Sequence, residues 1–86
     1  MDAQDLKSAG LKVTLPRLKI LEVLEMSEDH HMSAEDIYKT LVLKGEDVGV
    51  ATIYRVLTQF EESGMVNKLN FDNGQSVFEL SNVDHH

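Results

Sequence analysis

Ala51, Tyr54, Arg55 and Thr58 stand at i, i+3, i+4 and i+7, so on a helix they share one face. A face of that composition suits the floor of a duplex groove. Arg55 can grip a phosphate or the O6/N7 edge of guanine, while Ala51, Thr52 and the ring of Tyr54 can lie against thymine methyls. The hydroxyls of Thr52 and Thr58 can bond phosphate oxygens or base edges. No Asp or Glu occurs from Val48 to Phe60, where a carboxylate would repel the phosphate backbone. Gly49 in front of the helix leaves its first N–H groups open to a phosphate. Small polar residues on an outer face also serve plain solubility, so the setting of this helix decides between the two readings.

A second set of cations lies near the start. Gly10-Leu11-Lys12-Val13-Thr14 reads as a short loop before a helix. A lysine so placed can reach into a minor groove, whose negative potential deepens where A·T-rich DNA narrows it. Arg17 and Lys19 would then anchor phosphates nearby. Lys7, Lys12, Arg17 and Lys19 are the charges between Lys7 and Leu21, with no acid among them. The formal charge of −7 opposes nucleic-acid binding as a sum. The acids collect elsewhere, around Glu22 to Asp29, at Glu35-Asp36, at Glu46-Asp47 and at Glu61-Glu62.

Several elements must position these residues. Asp2 to Ala9 reads as a short helix with Gly10 as its stop. Thr14 offers a hydroxyl cap and Pro16 sits in the first turn of a helix from Leu15 to about Ser27. That helix carries Leu18, Leu21 and Leu24 at helical spacing, with Ile20, Val23 and Met26 widening the stripe. Glu28-Asp29-His30-His31 reads as a polar connection. Ser33 and Asp36 have the form of a capping box, opening a helix with Ala34, Ile37, Tyr38 and Leu41 on one side. After the loop from Gly45 to Gly49, the helix from Val50 to about Ser63 turns Ile53, Val56, Leu57 and Phe60 inward.

The pattern then shifts to strands, Met65 to Phe71 and Ser76 to Leu80. Asp72-Asn73-Gly74-Gln75 lies between them, and Asn-Gly predicts a two-residue type I′ turn. Phe78 and Leu80 alternate with Val77 and Glu79, as in a strand buried on one face. The expected fold is therefore mainly α with a small β hairpin (α+β). It is a winged helix-turn-helix of about four helices followed by a two-stranded antiparallel wing. In that arrangement the helix from Ser33 braces the helix from Val50, which lies in the major groove. The wing tip carries Asp72 and only Lys68 is basic, so the wing should orient more than read.

Size and composition narrow the classes. Eighty-six residues make one small domain with a modest core. Hydrophobic residues at 42% and charged ones at 27% suit a globular chain. There is no cysteine, which excludes disulfides and thiolate zinc sites here. No apolar run approaches a membrane span, and the acidic start from Met1 to Asp5 is wrong for a secretory signal. A cytoplasmic location follows as the expectation. No nucleophile elbow, glycine-rich phosphate loop or paired-carboxylate cleft is evident, so an enzyme is not expected.

At Gly10-Leu11-Lys12-Val13-Thr14-Leu15-Pro16-Arg17 and Gly49-Val50-Ala51-Thr52-Ile53-Tyr54-Arg55, the chain resembles the ferric uptake regulator family. Val77-Phe78-Glu79-Leu80 and His30-His31 match as well, and the resemblance covers essentially the whole chain. It implies a homodimeric repressor that binds A·T-rich palindromic operators when loaded with ferrous iron. Tyr54 and Arg55 would work in the major groove and Lys12 in the minor groove. It also implies a C-terminal domain for dimerisation and metal binding, with a structural zinc held by cysteines. This chain lacks those cysteines, so it is expected to be an isolated DNA-binding domain over residues 1–83, with 84–86 starting the hinge. No cofactor is expected in this piece. The full-length protein would take Fe2+, or Mn2+ or Zn2+, besides the structural Zn2+. The family's regulatory metal site matches His31, Glu79 and His86, a partial set whose imidazole and carboxylate donors suit those metals. By themselves His30-His31 read as a solvated loop pair and only the resemblance puts His31 on an equal footing as a ligand, while His85-His86 could be hinge or the remnant of a tag.

Double-stranded DNA is thus the expected partner, with no membrane, and the chain alone is expected to be a monomer. The alternative is a winged helix that binds protein and has no DNA contact, which the negative net charge would suit.

Overall fold

The computed structural model describes residues 3–27, 31–71 and 74–81. Asp2, the segment 28–30, the turn residues Asp72 and Asn73, and the hinge with His85 and His86 lie outside the described residues. The elements run α1 (Ala3–Ser8), α2 (Leu15–Met26), β1 (His31–Met32), α3 (Ala34–Leu43), α4 (Val50–Glu62), β2 (Val66–Asn70) and β3 (Ser76–Leu80). The expected winged-helix order is the one observed. One strand is added to it, because the segment read as a polar connection ends in β1.

Local chemistry explains the helix limits. The Thr14 hydroxyl accepts from the backbone N–H of Arg17 at 3.4 Å, and Pro16 occupies the first turn of α2. Ser33 is buried, and its Oγ accepts from Asp36 N–H at 3.1 Å to start α3. The α3 and α4 helices end alike. Glu46 N–H returns to Leu41 C=O and Gly45 N–H to Val42 C=O, while Met65 N–H returns to Phe60 C=O and Gly64 N–H to Glu61 C=O. This paired closure needs a left-handed residue, which Gly45 and Gly64 supply at φ 79° and 86°.

The core is shared by all four helices and the sheet. Leu6 of α1, Ile20, Leu21 and Leu24 of α2, Ile37 and Leu41 of α3, and Ile53, Leu57 and Phe60 of α4 are at most 1% exposed. Phe78 and Leu80 close it from below. Two members of the expected stripes fall outside it. Met26 is 64% exposed at the end of α2, where its sulfur accepts from Lys44 Nζ at 3.5 Å, and Tyr38 is 38% exposed.

The strand order is β1-β3-β2, antiparallel throughout. Val66 pairs with Leu80 and Lys68 with Phe78 on one face, while Asn67 pairs with Glu79 and Leu69 with Val77 on the other. Val77 is buried although it points away from the core, with Leu69 opposite it, so the expected alternation of β3 is incomplete. The hairpin also closes differently from a type I′ turn. Phe71 N–H bonds Gln75 C=O and Gly74 N–H bonds Phe71 C=O, both at 2.9 Å, with Gly74 at φ 84°. Three positions separate the closing pair, and the positive φ falls on the third of them, as in a loop with a bulged glycine.

Candidate nucleic-acid interface

The two sides of α4 differ sharply. Ile53, Val56, Leu57 and Phe60 are 0–5% exposed, packed on α2, α3 and the sheet. Ala51, Tyr54, Arg55 and Thr58 are exposed on the opposite side, and Thr52 is half-buried beside them. The first turn follows Gly49, which makes no side-chain cap, so its N–H groups have no capping side chain. The loop 44–49 separates α3 from α4, and α3 packs against α4 as a brace.

No acid of α4 itself enters this face, but α3 contributes one. The Tyr54 hydroxyl donates to Glu35 Oε2 at 2.8 Å. The face is therefore not free of carboxylates, as the sequence led us to expect. The bond to Glu35, then partial burial and the nearby negative charge, raises the Tyr54 phenol above its usual pKa of 10.0. Tyr54 and Glu35 share an open cleft of about 310 Å³ with Lys68, Gly74, Gln75 and Ser76, where the wing meets α4.

The cations divide into two kinds. Lys12 and Arg55 are exposed. Among the described residues, neither side chain has a hydrogen-bonding or ionic partner. Arg17 is engaged: Nε and Nη2 donate to Gln59 Oε1 at 3.2 and 2.7 Å, and Nη1 donates to the Lys12 carbonyl at 2.7 Å. Lys19 pairs with Glu46 at 2.6 Å. That hydrogen bond and the charges of Glu46 and Glu22 raise its pKa above 10.5, against a smaller opposing effect of burial. Gln59 and Glu35 are the two contributors that the sequence reading missed. Gln59 was accessible to it, since it follows Arg55 by four residues and so lies on a neighbouring part of the same helix surface.

Of the three expected metal ligands, the sheet register sets His31 directly opposite Glu79, and His86 lies outside the described residues. An imidazole and a carboxylate are suitable donors. Among the described residues, no cluster of three or more such groups forms. No helix of the described residues is long and apolar enough to cross a membrane.

The profile of the Ferric uptake regulator family matches residues 8–86. The ferric uptake regulation protein of Legionella pneumophila is 61% identical over 85 residues, covering 99% of this chain and 62% of the relative. The solved ferric uptake regulator of Vibrio cholerae has a TM-score of 0.90 at 60% identity, over 98% of this chain and 64% of that one. The regulator of Pseudomonas aeruginosa, solved with manganese, has the same TM-score at 58% identity, over 100% of this chain and 64% of that one. The chain thus spans less than two thirds of the length of these relatives. It belongs to the ferric uptake regulator family.

Proposed function

We propose that this chain is the DNA-reading part of a cytoplasmic, iron-dependent transcriptional repressor. In this reading α4 enters the major groove of an A·T-rich palindromic operator. Ala51, Thr52, Tyr54, Arg55 and Thr58 meet bases and phosphates, while Lys12 reaches the neighbouring minor groove. Arg17 and Lys19 stand close to the backbone between them. The observation that carries the reading is the division of α4 into a locked inner side and an exposed outer side, whose arginine has no partner among the described residues. Membership of a family of regulators argues in the same direction and against an enzyme. The Vibrio cholerae relative is described as carrying DNA-binding domains.

The complete protein would be a homodimer, so that two copies of α4 read two half-sites one helical turn apart. This chain by itself would be a monomer. His31 and Glu79, with His86, would supply part of a regulatory site for Fe2+, Mn2+ or Zn2+, and manganese is bound by the Pseudomonas aeruginosa relative. The metal would supply the charge that fixes these ligands to the rest of the protein. Structural zinc would belong to the portion beyond this chain.

The test is titration of the chain with a duplex selected by it from a random pool, against a scrambled duplex, at several salt concentrations. Specific reading gives tighter binding to the selected duplex at moderate salt. Lys12→Ala should reduce the log–log salt slope by about one. Equal affinity for both duplexes would end this reading. The net charge of −7 is the observation that favours a protein partner instead.

A further inference from the structure

Arg17 is turned toward the protein rather than outward. One planar guanidinium in the first turn of α2 reaches back to the adjoining loop at Lys12 and across to Gln59 of α4, 42 residues away. Thr52, Arg55 and Gln59 follow at i, i+3 and i+7 along one stripe of α4, so the attachment point belongs to the same stripe as Arg55. The loop is held at its root as well. Leu11 and Val13, on either side of Lys12, pack against the core, while Lys12 itself is exposed.

We propose that Arg17 and Gln59 form a positioning clamp, fixing the backbone of Lys12 at a set offset from the Tyr54–Arg55 face. The inference rests on the DNA reading above and assigns Arg17 a role in it other than direct phosphate contact. Two grooves can be read together only if the two reading elements keep their separation, and an irregular loop does not keep it unaided. A lysine at position 17 would carry the same charge but could not make the fork, because its ammonium is a single point rather than a plane of fixed donors. The clamp therefore depends on the shape of the arginine more than on its charge.

The experiment compares the unaltered 86-residue chain with Gln59→Met, Arg17→Lys, Lys12→Ala and the Gln59→Met/Lys12→Ala pair. Binding to the selected and scrambled duplexes is measured at several salt concentrations, with thermal melting alongside. The clamp requires Gln59→Met and Arg17→Lys each to flatten the salt slope by about one, as Lys12→Ala does. It also requires Gln59→Met to add no further loss once Lys12 is gone, as expected of residues that act through one another. A simple staple between α2 and α4 would lower the melting temperature without this dependence on Lys12. Should Gln59→Met fail to fold, Arg17→Lys decides. Unchanged slopes in Gln59→Met or Arg17→Lys, or additive losses in the pair, overturn the clamp alone. Equal binding of both duplexes by the unaltered chain overturns the DNA reading, and the clamp with it.

Discussion

The two arginines of this chain occupy opposite situations. Arg55 projects from the outer side of α4 without a partner among the described residues, while Arg17 spends three N–H groups on Gln59 and the Lys12 carbonyl. The lysines repeat the contrast, Lys12 exposed and Lys19 held by Glu46. An acid-free stretch of sequence is thus not the same thing as an available cationic surface. Availability depends on which distant side chains fold back onto the cations. On the outer side of α4 Glu35 folds back in this way, and it bonds the tyrosine rather than the arginine.

The contrast can be broken most directly at Arg55. Arg55→Ala should cost about 1–3 kcal/mol of binding to the selected duplex if the side chain reads a base. Its melting temperature should stay close to that of the unaltered chain, because the side chain supports nothing inside. Arg17→Ala, besides weakening binding through the loss of a fixed Lys12, should lower unfolding stability by about 1–2 kcal/mol as its charge-assisted hydrogen bonds are lost. A denaturant titration of the two variants side by side checks both statements. If Arg55→Ala proved the more destabilising, the assignment of the two regions would be wrong.

The smallest expected effect concerns pH. The phenol of Tyr54 and the ammonium of Lys19 both have pKa values raised by bonds to Glu35 and Glu46. Raised folded-state values mean that the protonated forms are favoured by folding. Their stabilisation is present in full below about pH 10 and is lost as pH climbs through the raised values. Glu35→Gln and Glu46→Gln should therefore differ from the unaltered chain at pH 8 and approach it at a strongly alkaline pH, beyond the raised values. Melting curves at the two pH values measure this, and the difference should be small because both pairs are open to solvent.

Much of this could be read from the order of residues, for a definite reason. The inner and outer sides of α4 follow from helical period, and the caps at Thr14 and Ser33 follow from hydroxyl chemistry within three residues. What escaped was non-local. Arg17 and Gln59 are 42 residues apart, and Glu35 and Tyr54 are 19 apart, so no spacing rule joins them. Strand β1 is two residues long and exists only through pairing with β3, leaving no alternation to detect. Met26 fits the α2 stripe by period but sits at the helix end, beyond the packed neighbours. Gly74 was recognisable as a turn residue, yet its place in the loop is set by the pairing of Phe71 with Gln75.

Chemical-shift mapping of the labelled chain during titration with the selected duplex tests the assignment of the outer side of α4 most directly. Binding through that side will move the amides of residues 50–58 and the Arg55 guanidinium, together with the loop around Lys12, and leave Ile37 and Leu41 in place. Perturbations confined to the acidic ends of α3 and α4, or none at a saturating amount of duplex, would contradict it.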